Sequence, residues 1–185
     1  MSEVIKLLAE LVALPSVNPA FLPEGHPHAG ERRVAEFLAA RAAQAGLGIE
    51  FCEVLPGRSN ILARLLPAAK ARQRVLLAPH LDTVNAAELQ FRPRQKNGRL
   101  YGRGACDTKG SVATMLCAVI DVAASGRRPA ATEILFAGLV DEENAQAGSR
   151  ALAASGLKAD LAIVGGNHRA SDNAPDSGRV FPAFT

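Results

Sequence analysis

Val75-Leu76-Leu77-Ala78-Pro79-His80-Leu81-Asp82 is the stretch that decides how this chain folds. Residues 75–78 are apolar at every position, so neither face of the run is marked for solvent. That pattern is typical of a strand in the centre of a mostly parallel sheet, covered on both sides. Residues 134–140 form a second buried strand of this kind. The polar residues that follow, from His80 and from Asp141, therefore fall at the carboxyl ends of strands, where open α/β sheets bind their ligands.

Helical and extended patterns alternate along the remaining sequence. Ser2 caps a first helix, whose apolar residues recur at helical spacing and which Pro15 ends. Strands that alternate with helices predict an α/β layered sheet. Further helices are predicted at residues 31–45, 108–124 and 148–154, further strands at 49–54, 60–66 and 161–164, and irregular stretches at 15–30 and 85–98.

The composition is that of one globular domain, or of one domain and a fragment of a second. Of 185 residues, 48% are hydrophobic and 21% are charged, which excludes a disordered, collagen-like or coiled-coil chain. The net charge of +3 comes from scattered lysines and arginines, so we expect no nucleic-acid partner. We expect no membrane span and no signal peptide. The three cysteines are odd in number and unpatterned, which indicates reduced thiols in a cytoplasmic protein.

His80 and Asp82 make up the first of three polar clusters that lie next to apolar elements. Imidazole is the commonest metal ligand among side chains, and a metal-bound histidine usually donates its second N–H to a carboxylate or a carbonyl group. Asp82, two residues after His80, is placed to be that partner. The alternative is a histidine and an aspartate that only cap a loop at the end of a strand.

The segment Gly102-Arg103-Gly104-Ala105-Cys106-Asp107-Thr108-Lys109-Gly110 is the second cluster. Its glycines let the backbone turn sharply, and a carboxylate held there can bridge two cations through its two oxygens. The alternative for Asp107 is a helix-capping aspartate. A phosphate-binding loop is a weaker interpretation, because the spacing of a Walker motif is missing. Cys106 has no neighbouring histidine in the sequence, so we expect a small buried residue rather than a nucleophile.

Asp141-Glu142-Glu143, the third cluster, places three negative charges side by side. In a cleft, such a cluster needs a cation to offset the repulsion. One glutamate can then bind metal while the other takes a proton from water. A solvated loop would carry the same three charges without difficulty. His26 and His28, which flank Pro27 in a polar loop, are expected to be exposed to solvent.

Taken in order, the clusters resemble one known family. They are similar to the motifs of the dinuclear zinc hydrolases that include acetylornithine deacetylase, succinyl-diaminopimelate desuccinylase, aminoacylase and glutamate carboxypeptidase. The matching segments are His80-x-Asp82-Thr83-Val84, then Gly102-Arg103-Gly104-x-x-Asp107-x-Lys109-Gly110, then Asp141-Glu142-Glu143 with Gly148-Ser149 following. Three ordered motifs at matching intervals are far more specific than any one. The resemblance implies a three-layer α/β/α catalytic domain, of which residues 1–166 would be the N-terminal portion.

The resemblance also assigns roles. His80 would bind one metal ion, Asp107 would bridge two ions, and Glu143 would bind the second. Glu142 would be the general base that deprotonates the bridging water, and Asp82 would orient His80. The cofactors would be two divalent metal ions, with zinc preferred and cobalt or manganese as substitutes. The reaction implied is the hydrolysis of an amide bond in a small N-acylated amino acid or peptide, with no nucleic acid and no membrane as partner.

The chain departs from the family pattern in two places. The turn after residues 161–164 reads Gly165-Gly166-Asn167-His168, without the acidic metal ligand that family members carry there. The distal histidine ligand and the lid and dimerisation domain are also missing, so each metal ion is left with two protein ligands. We expect no oligomer through that domain, and an irregular, poorly packed tail at residues 167–185. A frameshift near codon 166 would account for the departure at Gly166 and for an early stop.

The missing ligands predict that this chain has little or no hydrolase activity. The rival interpretation is a non-catalytic fragment of such an enzyme, with residual metal binding or none. A second rival, a nucleotide-binding α/β protein, rests on the glycine segment alone.

Overall fold

The computed structural model describes residues 2–166 and the backbone of residues 180–182. Its helices are α1 (Glu3–Val12), α2 (Arg32–Gln44), α3 (Lys109–Ala124) and α4 (Ala147–Ala154). Its strands are β1 (Gly48–Leu55), β2 (Arg58–Leu65), β3 (Gln73–Pro79), β4 (Arg94–Lys96), β5 (Arg99–Tyr101), β6 (Thr132–Gly138), β7 (Leu161–Gly165) and β8 (Val180–Pro182). Within the predicted irregular tail, residues 180–182 form β8, which pairs antiparallel with β7. The rest of that tail, residues 167–179 and 183–185, lies outside the described residues.

Six strands form one sheet in the order β1-β2-β6-β3-β7-β8. β3 lies between β6 and β7 and is parallel to both, which fits its apolar pattern. The other three pairings are antiparallel, so the expectation of a mostly parallel sheet is wrong. The two-residue connection Pro56-Gly57 accounts for the first of them, because so short a turn can only reverse the chain. β3 and β6 are instead joined by a crossover that contains α3.

Alternating side chains along the strands build a core on each face of the sheet. Ile61 of β2 and Phe136 of β6 belong to a core with residues of α1, α2 and α3. Their neighbours Leu62 and Leu135 lie in a second core, against which Leu152 of α4 packs. Successive residues of a strand point to opposite faces, so the two cores must be separate. The chain is therefore a three-layer α/β/α structure with a thin layer on the α4 side.

α1 and α3 pack directly against each other on the thicker side of the sheet. α1 begins at the cap predicted from the sequence, where the Ser2 hydroxyl accepts a hydrogen bond from the amide of Ile5 at 3.4 Å. Leu11 and Val12, at its carboxyl end, are completely buried. Among the helices in the described part of the chain, none is both long enough and apolar enough to cross a bilayer.

The stretch at residues 85–98, predicted to be irregular, contains a 3₁₀ turn at Glu88–Phe91 and the first strand of a small hairpin. β4 and β5 pair around Asn97 and Gly98, which both have positive φ, at 51° and 72°. Asn-Gly favours such two-residue hairpin turns. The prediction missed the hairpin because its three-residue strands show no apolar alternation.

Candidate metal centre

Three separate segments meet at one edge of the sheet. His80 directly follows β3, Glu143 lies in the loop after β6, and Asp107 precedes α3. Since β3 and β6 are parallel neighbours, their carboxyl ends lie side by side, and a bridge between His80 and Leu139 extends their pairing. One ligand atom from each of His80, Asp107 and Glu143 lies within 4.8 Å of the other two. The proximity expected for these three residues is therefore observed.

His80 is the buried member of the cluster, with 3% of its surface exposed. Its Nε2 lies 3.1 Å from Asp107 Oδ1 and 3.7 Å from Glu142 Oε2. Its Nδ1 lies 3.1 Å from the backbone carbonyl oxygen of Asp82 and 3.4 Å from the Oδ1 of the same residue. Burial alone would lower the pKa of His80, but hydrogen bonds with Asp107 and Asp82 and the surrounding negative charge raise it to about 10.

Asp82 contacts the backbone of Glu142 and Glu143 as well as the ring of His80. Its Oδ1 accepts a hydrogen bond from the backbone amide of Glu142 at 3.0 Å. Its Oδ2 accepts hydrogen bonds from the backbone amide of Glu143 at 3.0 Å and from Asn18 Nδ2 at 2.7 Å. Burial would raise the pKa of Asp82, but hydrogen bonds with His80 and Asn18 lower it below its usual value. Asp82 is therefore ionised at neutral pH and fixes the backbone of both glutamates.

Negative charge is crowded around Glu143. Burial raises the pKa of Glu143; His80 opposes this rise, and Asp107, Asp82 and Glu142 add to it. The side chains of Glu142 and Asp107 are 41% and 42% exposed, so they line a face open to solvent. A cation placed between these carboxylates would relieve the repulsion. The sequence predicted this need for a cation if the acidic cluster lay in a cleft.

The donor set fits a divalent metal ion. An imidazole nitrogen and two carboxylate oxygens are ligands that zinc binds at about 2.0–2.2 Å. Tetrahedral ligand atoms lie roughly 3.4 Å apart at those bond lengths, and the 3.1 Å between His80 Nε2 and Asp107 Oδ1 is already close to that spacing. The helix-cap alternative for Asp107 is not supported, because the residue at the N-cap position of α3 is Thr108.

Lys109, at the start of α3, is buried with 1% of its surface exposed. Its Nζ donates hydrogen bonds to the carbonyl oxygens of Leu11 at 2.8 Å and of Leu14 at 2.6 Å, at the carboxyl end of α1. Burial, helped by the charge of Arg33, lowers the pKa of Lys109 to about 7. The lysine of the glycine segment thus fastens α1 to α3 instead of facing a ligand, which argues against a phosphate-binding loop.

A buried polar network that the sequence analysis missed lies behind the two glutamates. Asn18 Nδ2 donates to both Asp82 and Asp141. Arg58 donates to Asp141 Oδ1 at 3.1 Å and to both carboxylate oxygens of Glu31. These contacts join residues that are between 27 and 123 positions apart. Asn18 stands before a proline, so its only local signal was that of a turn.

Two expectations about single residues are wrong. His26 and His28 are half-buried rather than exposed. The ring of His28 packs edge to face on Phe91 with ring centroids 4.8 Å apart, because the loop at residues 15–30 folds back over the 3₁₀ turn before β4. Cys106 is exposed rather than buried, since it precedes α3 and does not share the packed face of that helix.

The chain is similar in sequence to several known proteins. Residues 76–178 match peptidase family M20/M25/M40. Over 179 residues the chain is 32% identical to a succinyl-diaminopimelate desuccinylase of Variovorax paradoxus, a match that covers 89% of this chain and 43% of the relative. It is 28% identical over 163 residues to the N-formyl-4-amino-5-aminomethyl-2-methylpyrimidine deformylase of Bacillus subtilis, covering 84% of this chain and 38% of the relative.

Among solved structures, human carnosine dipeptidase 1 superposes with a TM-score of 0.72 at 23% identity, over 89% of this chain and 38% of that protein. A tripeptidase from Staphylococcus aureus gives a TM-score of 0.68 at 22% identity, over 88% of this chain and 42% of that protein. These likenesses show that the fold is shared. The chain spans about two fifths of the length of the curated relatives named above. The family match covers more than half of the sequence and includes all three polar clusters, and the chain therefore belongs to peptidase family M20/M25/M40.

Proposed function

We propose that this polypeptide contributes a metal centre for the hydrolysis of an amide bond in a small N-acylated amino acid or peptide. The observation that carries the proposal is the cluster of His80, Asp107 and Glu143, with Glu142 beside it. Membership of a peptidase family supports this chemistry. So do the names of the relatives, which include desuccinylases and a deformylase that act on acylated amines.

His80, Asp107 and Glu143 would hold the metal, which when bound would polarise the scissile carbonyl group and lower the pKa of water. Glu142 would be the general base, because its carboxylate is half-exposed and lies beside the cluster, 3.7 Å from His80 Nε2. Asp82 would set the tautomer of His80 through the contacts at Nδ1, which leaves Nε2 free to donate its lone pair.

Two divalent ions, with zinc preferred, are part of the proposal. Asp107 would bridge them through its two oxygens, with His80 on one ion and Glu143 on the other. That division leaves two protein ligands for each ion, fewer than the three of an ordinary catalytic zinc. The glycine at position 166 supplies no carboxylate where the family resemblance places an acidic ligand. This supports the alternative that the polypeptide binds metal weakly and does not hydrolyse substrate.

The remaining parts of the proposal concern the whole protein. Residues 1–166 would be the N-terminal portion of the catalytic domain, and the protein would act in the cytoplasm. The substrate would be small and would carry an acyl-amide bond.

A metal titration with matched variants tests the proposal. Zinc is titrated into metal-free protein in competition with a chromophoric chelator, and the same is done with His80→Ala, Asp107→Asn and Glu143→Gln. We expect each variant to lose at least about tenfold in affinity. Hydrolysis of N-acetyl and N-succinyl amino acids with added zinc or cobalt is measured in parallel, and we expect turnover to be weak. Wild-type protein that takes up no zinc, or variants that bind it equally well, would contradict the proposed site.

A further inference from the structure

One side-chain amide, that of Asn18, joins the two loops that carry the candidate metal ligands. Asn18 Nδ2 donates a hydrogen bond to Asp82 Oδ2 at 2.7 Å and another to Asp141 Oδ1 at 3.0 Å. All three residues are almost completely buried, with at most 1% of the residue surface exposed. The Oδ1 of Asn18 accepts a hydrogen bond from the amide of Ala20 at 3.1 Å, so every polar atom of the amide has a partner.

The chemistry of the neighbours fixes which way the amide faces. Two carboxylates accept hydrogen bonds and cannot donate them when ionised, so only the NH₂ group can lie between them. The backbone amide of Ala20, on the opposite side, requires the oxygen. Asn18 is thereby the neutral donor that lets two buried carboxylates approach the same nitrogen. Without it, they would repel each other in a site with little water.

Each carboxylate that Asn18 binds supports the turn at residues 141–146 from a different side. Asp82 accepts the backbone amides of Glu142 and Glu143, both at 3.0 Å. Asp141 precedes these residues with φ at 66°, a left-handed conformation that is uncommon outside glycine. Its own contacts hold it there, since its amide donates to Glu31 Oε1 at 3.1 Å and its Oδ1 also accepts from Arg58 at 3.1 Å.

We infer that Asn18 is a positioning residue for the metal centre: it locks the Glu142–Glu143 turn against the loop that carries His80. The inference rests on the proposed function only for the consequence that metal affinity depends on it. The backbone of Asn18 is anchored to the loop after His80, because its amide donates to the carbonyl oxygen of Thr83 at 2.9 Å. Displacement of the side-chain amide therefore moves Asp82 and Asp141 relative to each other, and with them the two glutamates.

Ser16 offers a matched control. It lies two residues away in the same segment, is also completely buried, and donates a hydrogen bond from its hydroxyl to the carbonyl oxygen of Leu81 at 2.7 Å, in the loop that carries His80. Its hydroxyl bonds to a backbone carbonyl rather than to a carboxylate. Ser16→Ala therefore removes one buried hydrogen bond and leaves the bridge between Asp82 and Asp141 in place.

The experiment compares Asn18→Asp, Asn18→Ala and Ser16→Ala with the wild type by two measurements. The first is amide hydrogen exchange of Glu142 and Glu143 in the metal-free protein. We expect both Asn18 variants to exchange at least about tenfold faster at these two amides than their global stability accounts for. Ser16→Ala should exchange there only as fast as its global stability predicts. Asn18→Ala serves if the additional buried charge prevents Asn18→Asp from folding.

The second measurement is Co²⁺ affinity, followed by its visible absorption. We expect the Asn18 variants to bind Co²⁺ about 10- to 100-fold more weakly than the wild type, and Ser16→Ala to bind it as the wild type does. Unchanged exchange at Glu142 and Glu143 in both Asn18 variants would overturn the inference, as would equal effects in Ser16→Ala. Wild-type protein that binds no Co²⁺ would overturn the proposed function, and the exchange measurement would still decide the role of Asn18.

Discussion

At the scale of single residues, negative charge governs the site. The four carboxylates of Asp82, Asp107, Glu142 and Glu143 surround one buried imidazole, that of His80. Burial alone would lower the pKa of the imidazole, but Asp107, Asp82 and Glu142 raise it to about 10. Burial raises the pKa of Glu143, and the charges of Asp107, Asp82 and Glu142 raise it further. The negative potential that contributes to both shifts is one that a divalent cation would offset. His80 and Asp82 are buried, whereas the side chain of Glu142 is half-exposed. Substitution of each residue should therefore affect metal binding differently.

The neighbours Glu142 and Glu143 should respond differently to the same isosteric change. Glu143→Gln removes a candidate ligand, and we expect zinc affinity to fall by at least about tenfold. Glu142→Gln removes only the charge of a half-exposed side chain, worth about 1 kcal/mol or less, so zinc affinity should stay within about fivefold. Competition titration with a chromophoric chelator measures both. Equal losses in the two variants would mean that both side chains bind metal and that Glu142 is not a dedicated base.

Gly166 is the position at which a ligand can be added. A Cβ there would meet no atom within 4 Å, and Gly165 pairs with Pro79, so residue 166 lies beside His80 at the sheet edge. We expect Gly166→Glu to raise zinc affinity by about tenfold or more, since a third protein ligand completes an ordinary zinc site. Gly166→Gln, which has the same size without the charge, is the control. A similar gain in both variants would show that the effect is not ligation.

At the scale of elements, two buried contacts hold the helices next to the site. Lys109 joins α3 to the carboxyl end of α1. Asn60 of β2 accepts a hydrogen bond from the amide of Val140 at 3.1 Å and donates one to the carbonyl oxygen of Gly148 at 2.8 Å, which fixes the start of α4 against the end of β6. Both contacts lie within a few residues of a candidate ligand, so stability and site geometry are linked here.

Lys109 and His80 give opposite contributions to the pH dependence of unfolding in metal-free protein. The pKa of Lys109 falls from 10.5 to about 7 on folding, so the unfolded state binds more protons between these values and stability rises with pH. The pKa of His80 rises from 6.5 to about 10 on folding. Its stabilising contribution is complete below pH 6.5 and is lost as the pH rises through 10.

Replacing one of these two residues should therefore leave the pH dependence of the free energy of unfolding that the other residue contributes. We expect His80→Gln, which retains Lys109, to become more stable as the pH rises above about 7, and Lys109→Met to become less stable over the same range. Urea unfolding in the presence of a chelator, repeated across that range, gives the free energy of unfolding. Parallel pH curves for the two variants would contradict the assigned shifts.

Gly148, the second residue of α4, has no room for a side chain. An added Cβ would lie 2.4 Å from the carbonyl oxygen of Val140 and 2.6 Å from Asn60 Oδ1. We expect Gly148→Ala to lower the free energy of unfolding by about 1–3 kcal/mol, because the backbone at Val140, just after β6, cannot move aside freely. Gly48→Ala is the matched control: its Cβ would meet only Arg64 O at 4.0 Å, and we expect a change within about 0.5 kcal/mol. Urea denaturation distinguishes the two.

At the scale of the whole molecule, the candidate ligands connect parts of the chain that are far apart in sequence. His80 lies at the end of β3, Asp107 at the start of α3 and Glu143 in the loop after β6. These elements also form the centre of the sheet and the helix that covers it. A bound ion would therefore cross-link the central layer with one outer layer.

Zinc should stabilise the folded chain by a free energy that increases with the logarithm of its affinity. A ligand that binds only the native state at 100 times its dissociation constant adds about 2.7 kcal/mol to the free energy of unfolding. We expect the melting temperature to rise with zinc, to return to its starting value after chelation, and to stay unchanged in Asp107→Asn. Magnesium, which prefers an octahedral shell of oxygen atoms, should have a much smaller effect. An equal rise in Asp107→Asn would place the ion elsewhere.

Local sequence patterns predicted the four α-helices and five strands of the main sheet, and they singled out the polar clusters that contain the candidate ligands. Apolar runs such as residues 75–78 and 134–140 mark strands because burial on both faces tolerates no polar position, and a ligand such as His80 is recognisable because it follows such a run. The predicted bounds of the four α-helices in the described part of the chain agree with the observed ones to within a few residues. These features depend on short stretches of chain, and composition and spacing are enough to predict them.

Only the tertiary structure decided how those elements pair and what holds the ligands in place. The mixed sheet depends on which strands become neighbours, and periodicity along one strand carries no such information. Asn18, Arg58 and Lys109 acquire their roles through contacts that span up to 123 positions. A buried polar group is satisfied by whatever donor or acceptor the fold brings within about 3 Å, and that distance is set by packing of the whole chain rather than by neighbours in sequence.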